Sequence, residues 1–305
     1  MVEAPPSPKA TPSGWRDVLT LTKPGITALI VMVAVAGYFL ALPSHIDVLR
    51  LGLLVLTGGL ASAGSAMLNH YFDRDVDGGM KRTRGRPLPG ARIAHSSGVL
   101  LGGTGLLAFG VGASYVWLNP LTSLSIALGG LTYVVVYTIV MKRRTNWNIV
   151  VGGFAGSAPA LAGSAAAVGS WTVPVLAFAL LVFLWTPPHF WSLALMLRDD
   201  YRRVGLPMLP KMDDPAYSGR IVVVSTALLL PASLLLDYVA PFAWPVSVAV
   251  VGAAVVYLLL AIPLWRRVDR PVALRAFITS GPYLLAVIVV LILNFWLSAM
   301  GVRPF

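Results

Sequence analysis

Residues 51–80 read LGLLVLTGGLASAGSAMLNHYFDRDVDGGM: an uncharged run from Leu51 to Phe72, then aspartates at 73, 75 and 77. A run of that length matches the roughly 20 apolar residues that carry a helix across about 30 Å of hydrocarbon. Its small residues, GGLASAGSAM, let helix backbones approach closely in lipid, where the hydrophobic effect gives no help between helices. The acids that follow sit where such a helix would reach the membrane edge.

The same pattern recurs along the chain and predicts nine membrane helices, near 24–42, 48–70, 97–117, 121–141, 148–168, 172–197, 219–239, 243–264 and 277–300. Composition agrees: 57% of residues are hydrophobic and only 11% charged, against about 25% charged in soluble domains. The fold class is therefore an all-α integral membrane protein. The absence of cysteine excludes a disulfide frame, a thiolate metal site and a covalent CxxCH haem attachment. Residues 1–20 read as a disordered cytoplasmic tail, ending in a short amphipathic lead-in with no apolar core of a signal peptide. Residues 21–305 read as one nine-helix domain.

Connections alternate between short (PSHID, LNP, VGS, APFAWP) and long (71–96, 142–147, 198–218, 265–276). Every Lys and Arg except Arg50 and Arg303 lies in the tail, in a long connection or at its edge. Positive residues stay on the cytoplasmic side, so the N-terminus and long loops are expected inside and the C-terminus outside, in the cytoplasmic membrane. The net charge of +11 then reads as topology and contact with an anionic lipid bilayer, with no nucleic-acid partner. The second and sixth spans each lead into an aspartate-bearing loop, a faint sign of two equivalent halves.

Asn69, Asp73 and Asp77 are spaced i, i+4, i+8. On a continuing helix they share one face, drifting about 40° per step, and Gly78 and Gly79 would end it. Oxygen ligands of this kind suit Mg2+, which binds through one or two carboxylates plus substrate phosphates. Lys81, Arg82, Arg84 and Arg86 follow at once, and such side chains grip phosphate oxygens. Together these residues describe a diphosphate clamp. Loop charges placed for topology would explain the bases alone, but not acids and an amide in register at a membrane edge, where unpaired charge is expensive. Asp75 falls on another face, toward solvent, Arg74 or a neighbouring base. If the diphosphate belonged to an allylic isoprenoid, its departure would leave a carbocation, requiring a dry pocket with aromatic walls. Tyr71, Phe72, Trp185, Phe190 and Trp191 are available, although aromatic residues in membrane helices more often pack or anchor.

NHYFDRDVDGGMKRTRGRPL (69–88) resembles the first motif of the UbiA superfamily of intramembrane prenyltransferases. It is closest in form to the haem O synthase branch, N-x-x-x-D-x-x-x-D-x-x-M-x-R-T-x-x-R-P, matched by Asn69, Asp73, Asp77, Met80, Arg82, Thr83, Arg86 and Pro87. LTKPGIT (21–27), residues 137–163 and residues 183–210 resemble the same branch. The resemblance implies an all-helical bundle and a Mg2+-dependent transfer of farnesyl from farnesyl diphosphate to a vinyl group of haem B. Water adds, haem O and diphosphate result, and haem B is substrate rather than prosthetic group. It further implies that Asp73 and Asp77 hold the metal, that Asn69 orients the site, and that Lys81, Arg82, Arg86 and Lys142 or Arg143 stabilise the leaving diphosphate.

Asp200 is expected to assist, although Asp199 and Asp200 are adjacent and stand where quinone-type members carry a second DxxxD. His189, in TPPHFW, is the candidate haem contact, against the plainer reading of a packed, hydrogen-bonded histidine. Pro187 and Pro188 are expected to break the sixth helix beside a cavity. His70 is expected to face away from the acids, and His45 and His95 to be solvated. Arg144, Arg198, Arg202 and Arg203 read either as topology charges or as contacts for phosphate or haem propionates. The product would feed terminal oxidases, which makes haem A synthase or oxidase assembly candidate partners. Three rivals stay open: another prenyl acceptor such as a quinone-precursor ring, a transporter of haem or a lipid diphosphate, and a haem-binding assembly protein without catalysis. Transporters place polar groups near the midplane, and an assembly protein would need no acidic metal motif.

Overall fold

The computed structural model describes residues 14–301; of the tail expected over 1–20, residues 1–13 lie outside the described residues. The rest is helical, with no strand among the described residues. The elements are α1 (Trp15–Leu21), α2 (Pro24–Leu40), α3 (Val48–Phe72), α4 (Arg74–Gly79) and α5 (Ser96–Trp117). They continue with α6 (Pro120–Met141), α7 (Asn148–Val168), α8 (Val173–Met196), α9 (Arg198–Arg203), α10 (Pro215–Val239), α11 (Trp244–Trp265) and α12 (Arg270–Ala299). Eight of these are long and apolar enough to cross a membrane, and α2 reaches that standard together with α1 across a 46° bend. The chain is a multi-pass membrane protein.

Side-chain caps and prolines set several helix starts. Asp47, Asn119, Asp214 and Asp269 accept from Arg50, Thr122, Tyr217 and Val272 backbone N–H groups at 2.8–3.0 Å, satisfying donors that the first turn leaves unpaired. Pro24, Pro120 and Pro215 sit at first helical positions, where no N–H is needed. These caps explain two differences from the expected spans. The seventh begins at Pro215 rather than 219, and the ninth at Arg270 rather than 277, because Asp214 and Asp269 start those helices within the charged connection.

The sixth span also differs: α8 is unbroken through Pro187 and Pro188. Each proline removes one hydrogen bond, but the segment is packed between α7, α10 and α12, and neighbouring helices hold such a stretch helical in lipid. The expected likeness of the second and sixth spans takes a definite form. After one intervening residue, Asp73 or Leu197, each is followed by a six-residue helix, α4 or α9.

Each span packs on the next, and α12 returns to α2, so the bundle closes. α2 also crosses α7 backbone to backbone. A Cβ added to Gly163 would lie 2.0 Å from the Ala34 carbonyl oxygen, and one added to Gly37 would lie 2.2 Å from that of Ala160. The largest core cluster lies among α8, α10, α11 and α12, around Phe178, Trp185, Leu229, Val250 and Val287. A second cluster lies under the long connections, where Met80, Tyr137, Trp191, Tyr201 and Met208 pack together. Between α2, α3, α6, α7 and α8 remains a largely apolar cavity of about 300 Å³. Gly163→Val is expected to lower stability by about 1–3 kcal/mol, read as a fall in Tm in detergent. Gly112→Val, where an added Cβ meets nothing within 4 Å, should leave Tm unchanged.

Candidate active site at the cavity mouth

The acidic motif straddles the junction of α3 and α4. Backbone hydrogen bonds continue through it, Asp73 N to Asn69 O at 3.0 Å and Asp77 N to Asp73 O at 2.8 Å, so the three side chains keep the register that their spacing predicts. Asn69, Asp73 and Asp77 are all buried. Asp73 Oδ2 accepts from Asn69 Nδ2 at 2.7 Å and from Lys142 Nζ at 2.5 Å. Its Oδ1 is buried with no hydrogen-bond partner among the described residues. Asp77 Oδ2 pairs with Arg86 Nη1 at 2.6 Å, and the Asp77 carbonyl accepts from Thr83 Oγ1 at 2.9 Å. That second contact folds the basic loop back over the acids. The helix ends at Gly79, as expected, but not through a glycine cap. Both glycines lie inside α4 with ordinary φ, and Met80 caps it. Gly79 instead leaves room for Val204, whose Cγ1 would lie 2.7 Å from an added Cβ. That contact seats the turn after α9 against the acidic motif.

Four contributors escape a reading of the sequence. Lys23, in the left-handed region at φ 47° between α1 and α2, donates to Asn69 Oδ1 at 2.5 Å and to the Tyr133 hydroxyl at 2.9 Å. Thr138 Oγ1 accepts from Asn69 Nδ2 at 3.0 Å. Tyr133 and Tyr137 stack at 5.9 Å with an 8° interplanar angle. Both tyrosines and Thr138 belong to Thr132–Met141, where α6 winds as a π-helix. The wider turn is visible in Lys142 N bonding Tyr137 O at 2.8 Å, five residues back. It brings Lys142 onto Asp73. Lys23 stands in LTKPGIT, a lone cation just before a helix-opening proline. That position, within a segment that resembles the family branch, is its signal in the sequence.

Other expected residues lie apart. Arg143 pairs bidentately with Asp75 at 2.6 and 2.7 Å and also bonds the Phe72 carbonyl; its guanidinium holds the Asp75 carboxyl below the usual carboxylate range. Asp200 is buried and meets Arg203 at 3.2 Å. Lys81 is exposed, and Arg82 lies beside the Tyr201 hydroxyl. His70 is buried, with Nδ1 unpartnered among the described residues. Of the expected aromatic residues, Trp185 lines the cavity, whereas Trp191 packs in the cluster beneath the loops. His189 lines the cavity too, as do Lys23 and Tyr133.

Among the described residues no three acidic or histidine side chains converge on one point. Two buried carboxylates, one with an open oxygen, and cations on every side nevertheless suit a divalent ion that takes its remaining ligands from a phosphorylated substrate. The fold and site thus define an intramembrane helical protein with a cluster of buried acids and cations beside an apolar cavity.

Residues 30–286 match the UbiA prenyltransferase family, and the chain belongs to that family. It is similar to the protoheme IX farnesyltransferase of Sulfurisphaera tokodaii, 38% identical over 282 residues, 91% of this chain and 92% of that protein. It is similar also to protoheme IX farnesyltransferase 1 of Cenarchaeum symbiosum, 43% identical over 230 residues, 73% and 77% of the two chains. In fold it matches a UbiA homolog from Archaeoglobus fulgidus bound to GPP and Mg2+, with TM-score 0.71 and 15% identity, covering 90% of this chain and 99% of that one.

Lys142→Met strips the buried Asp73 of its cation. The variant is expected to lose about 3 kcal/mol of stability without metal and to regain more Tm than the native protein when Mg2+ and inorganic diphosphate are added. A Tm that ignores both additions in each protein would remove the metal from the site.

Proposed function

We propose that the chain transfers farnesyl from farnesyl diphosphate to a vinyl group of haem B, with water adding, to give haem O and diphosphate. The observation that carries this reading is the buried Asn69–Asp73–Asp77 face, ringed by Lys23, Arg86 and Lys142, at the mouth of an apolar cavity. The relatives named above, at 38–43% identity, support haem as the acceptor.

Asp73 and Asp77 would hold Mg2+, through the open Oδ1 of Asp73 and a carboxylate oxygen of Asp77. Bound there, the ion supplies charge neutralisation at the leaving diphosphate. Lys23, Arg86 and Lys142 face the same anion and stabilise charge that grows as the allylic C–O bond breaks. Arg82 contributes from the loop edge. Lys81 and Arg143 serve the outer field, since Lys81 is exposed and Arg143 is committed to Asp75. Asn69 ties Asp73 to Lys23 and Thr138 and so orients the whole set. The apolar cavity walls take the isoprenoid chain and keep water from the cation until the vinyl carbon has attacked. Trp185 and Tyr133 are the aromatic residues lining the cavity. Asp200 holds Arg203 at the second loop, and His189 faces the acceptor.

The protein sits in the cytoplasmic membrane with its N-terminus and long loops inside, as the distribution of Lys and Arg supports. Its product serves terminal oxidases directly or through haem A synthase.

Purified protein in detergent with haem B, farnesyl diphosphate and Mg2+ is expected to form a farnesylated, hydrated haem, resolved by chromatography and mass. Asp73→Ala or EDTA should reduce the rate at least about a hundredfold. Unchanged haem alongside a prenylated aromatic acceptor would keep the clamp and overturn the haem assignment.

A further inference from the structure

His189 and Trp185 sit one turn apart on α8, facing Phe277 and Ser280 one turn apart on α12. The imidazole lies against both aromatic rings, 4.4 Å and 19° from Trp185 and 4.9 Å and 32° from Phe277. Ser280, fully buried, ties down both α8 rings: its carbonyl accepts from Trp185 Nε1 at 2.9 Å, and its Oγ lies 2.5 Å from His189 Nδ1. The same Oγ donates to the Phe277 carbonyl at 2.5 Å.

A hydroxyl has one proton, and the Phe277 carbonyl can only accept. Both Ser280 contacts are satisfied at once when its hydroxyl donates to Phe277 and Nδ1 of His189 donates to Ser280. In a neutral imidazole this leaves a lone pair on Nε2. His189 lines the cavity, and Nε2 has no hydrogen-bond partner among the described residues. A histidine that merely filled space would be expected to satisfy its second nitrogen. One ring nitrogen anchored as donor, with the other bare, is instead the arrangement that orients an imidazole toward a metal.

We infer that Ser280 is a positioning residue, which fixes His189 in the tautomer whose Nε2 binds the iron of the tetrapyrrole substrate in the cavity. The inference rests on haem B being the acceptor. It adds how the macrocycle is registered: iron on His189 ties the ring to α8, and so fixes how far the edge of the macrocycle lies from the diphosphate-bearing mouth.

Haem B is titrated into the full chain in detergent without farnesyl diphosphate, and absorption and resonance Raman spectra are recorded for both iron oxidation states. The native protein should show a nitrogenous axial ligand. His189→Gly should lose that signature and regain it with added imidazole. Ser280→Ala, which frees the ring to flip, should weaken haem binding about tenfold or more while Tm and farnesyl diphosphate binding hold. A His189→Gly protein with the native spectrum, still farnesylating haem, would overturn the ligand and leave the reaction standing. A native protein that neither binds nor modifies haem but prenylates another aromatic ring would overturn both.

Discussion

A single carboxylate taken out of water organises one end of this molecule. Asp73 is buried where an unpaired charge would cost several kcal/mol, and the chain answers with two donors on one oxygen, Asn69 and Lys142. Each donor is itself tethered. Asn69 is held by Lys23 from the start of α2 and by Thr138 from α6, and Lys142 arrives at the end of the π-helical stretch. Three separate parts of the chain thus converge because one anion must be compensated. The arrangement leaves the second oxygen of Asp73 open, so that the same burial which demands partners also keeps a place for another cation.

Charge and oil are kept apart along the bundle. The mouth carries paired acids and bases, and the cavity beyond is walled by residues such as Ile30, Ala66, Ile126 and Pro159. Close helix crossings at Gly37 and Gly163 seal α2 against α7 behind it. This division suits chemistry in which a highly charged group departs at one end while a reactive hydrocarbon stays dry at the other. It suits a transporter less well, since the acids gather at the end of the bundle rather than at mid-depth.

The spans were readable because a stretch of some 20 apolar residues admits few readings, and the acidic register was readable because helical spacing is local. What escaped depended on tertiary contact or on small changes of pitch. Lys23 and Tyr133 lie 110 residues apart, and nothing local marks them as partners. Arg143 looked equivalent to Lys142, but adjacent residues on a helical turn point differently, and it went to Asp75 instead. Pro187 and Pro188 suggested a break, yet neighbouring helices held α8 continuous. The glycines after Asp77 do stand where α4 stops, but what Gly79 also answers to is Val204, more than a hundred positions away in the chain.

The π-helical stretch has an arithmetic consequence. Thr132–Met141 fits more residues into each turn than an α-helix does. Losing one residue there, with the pitch held, would leave the hydropathy of α6 almost untouched. Everything after the deletion would nevertheless rotate by about 100° relative to what precedes it. The ammonium of Lys142 would swing off Asp73 while the helix still crossed the bilayer. In this segment the number of residues is itself a functional quantity, and substitution scans, which preserve that number, cannot detect it.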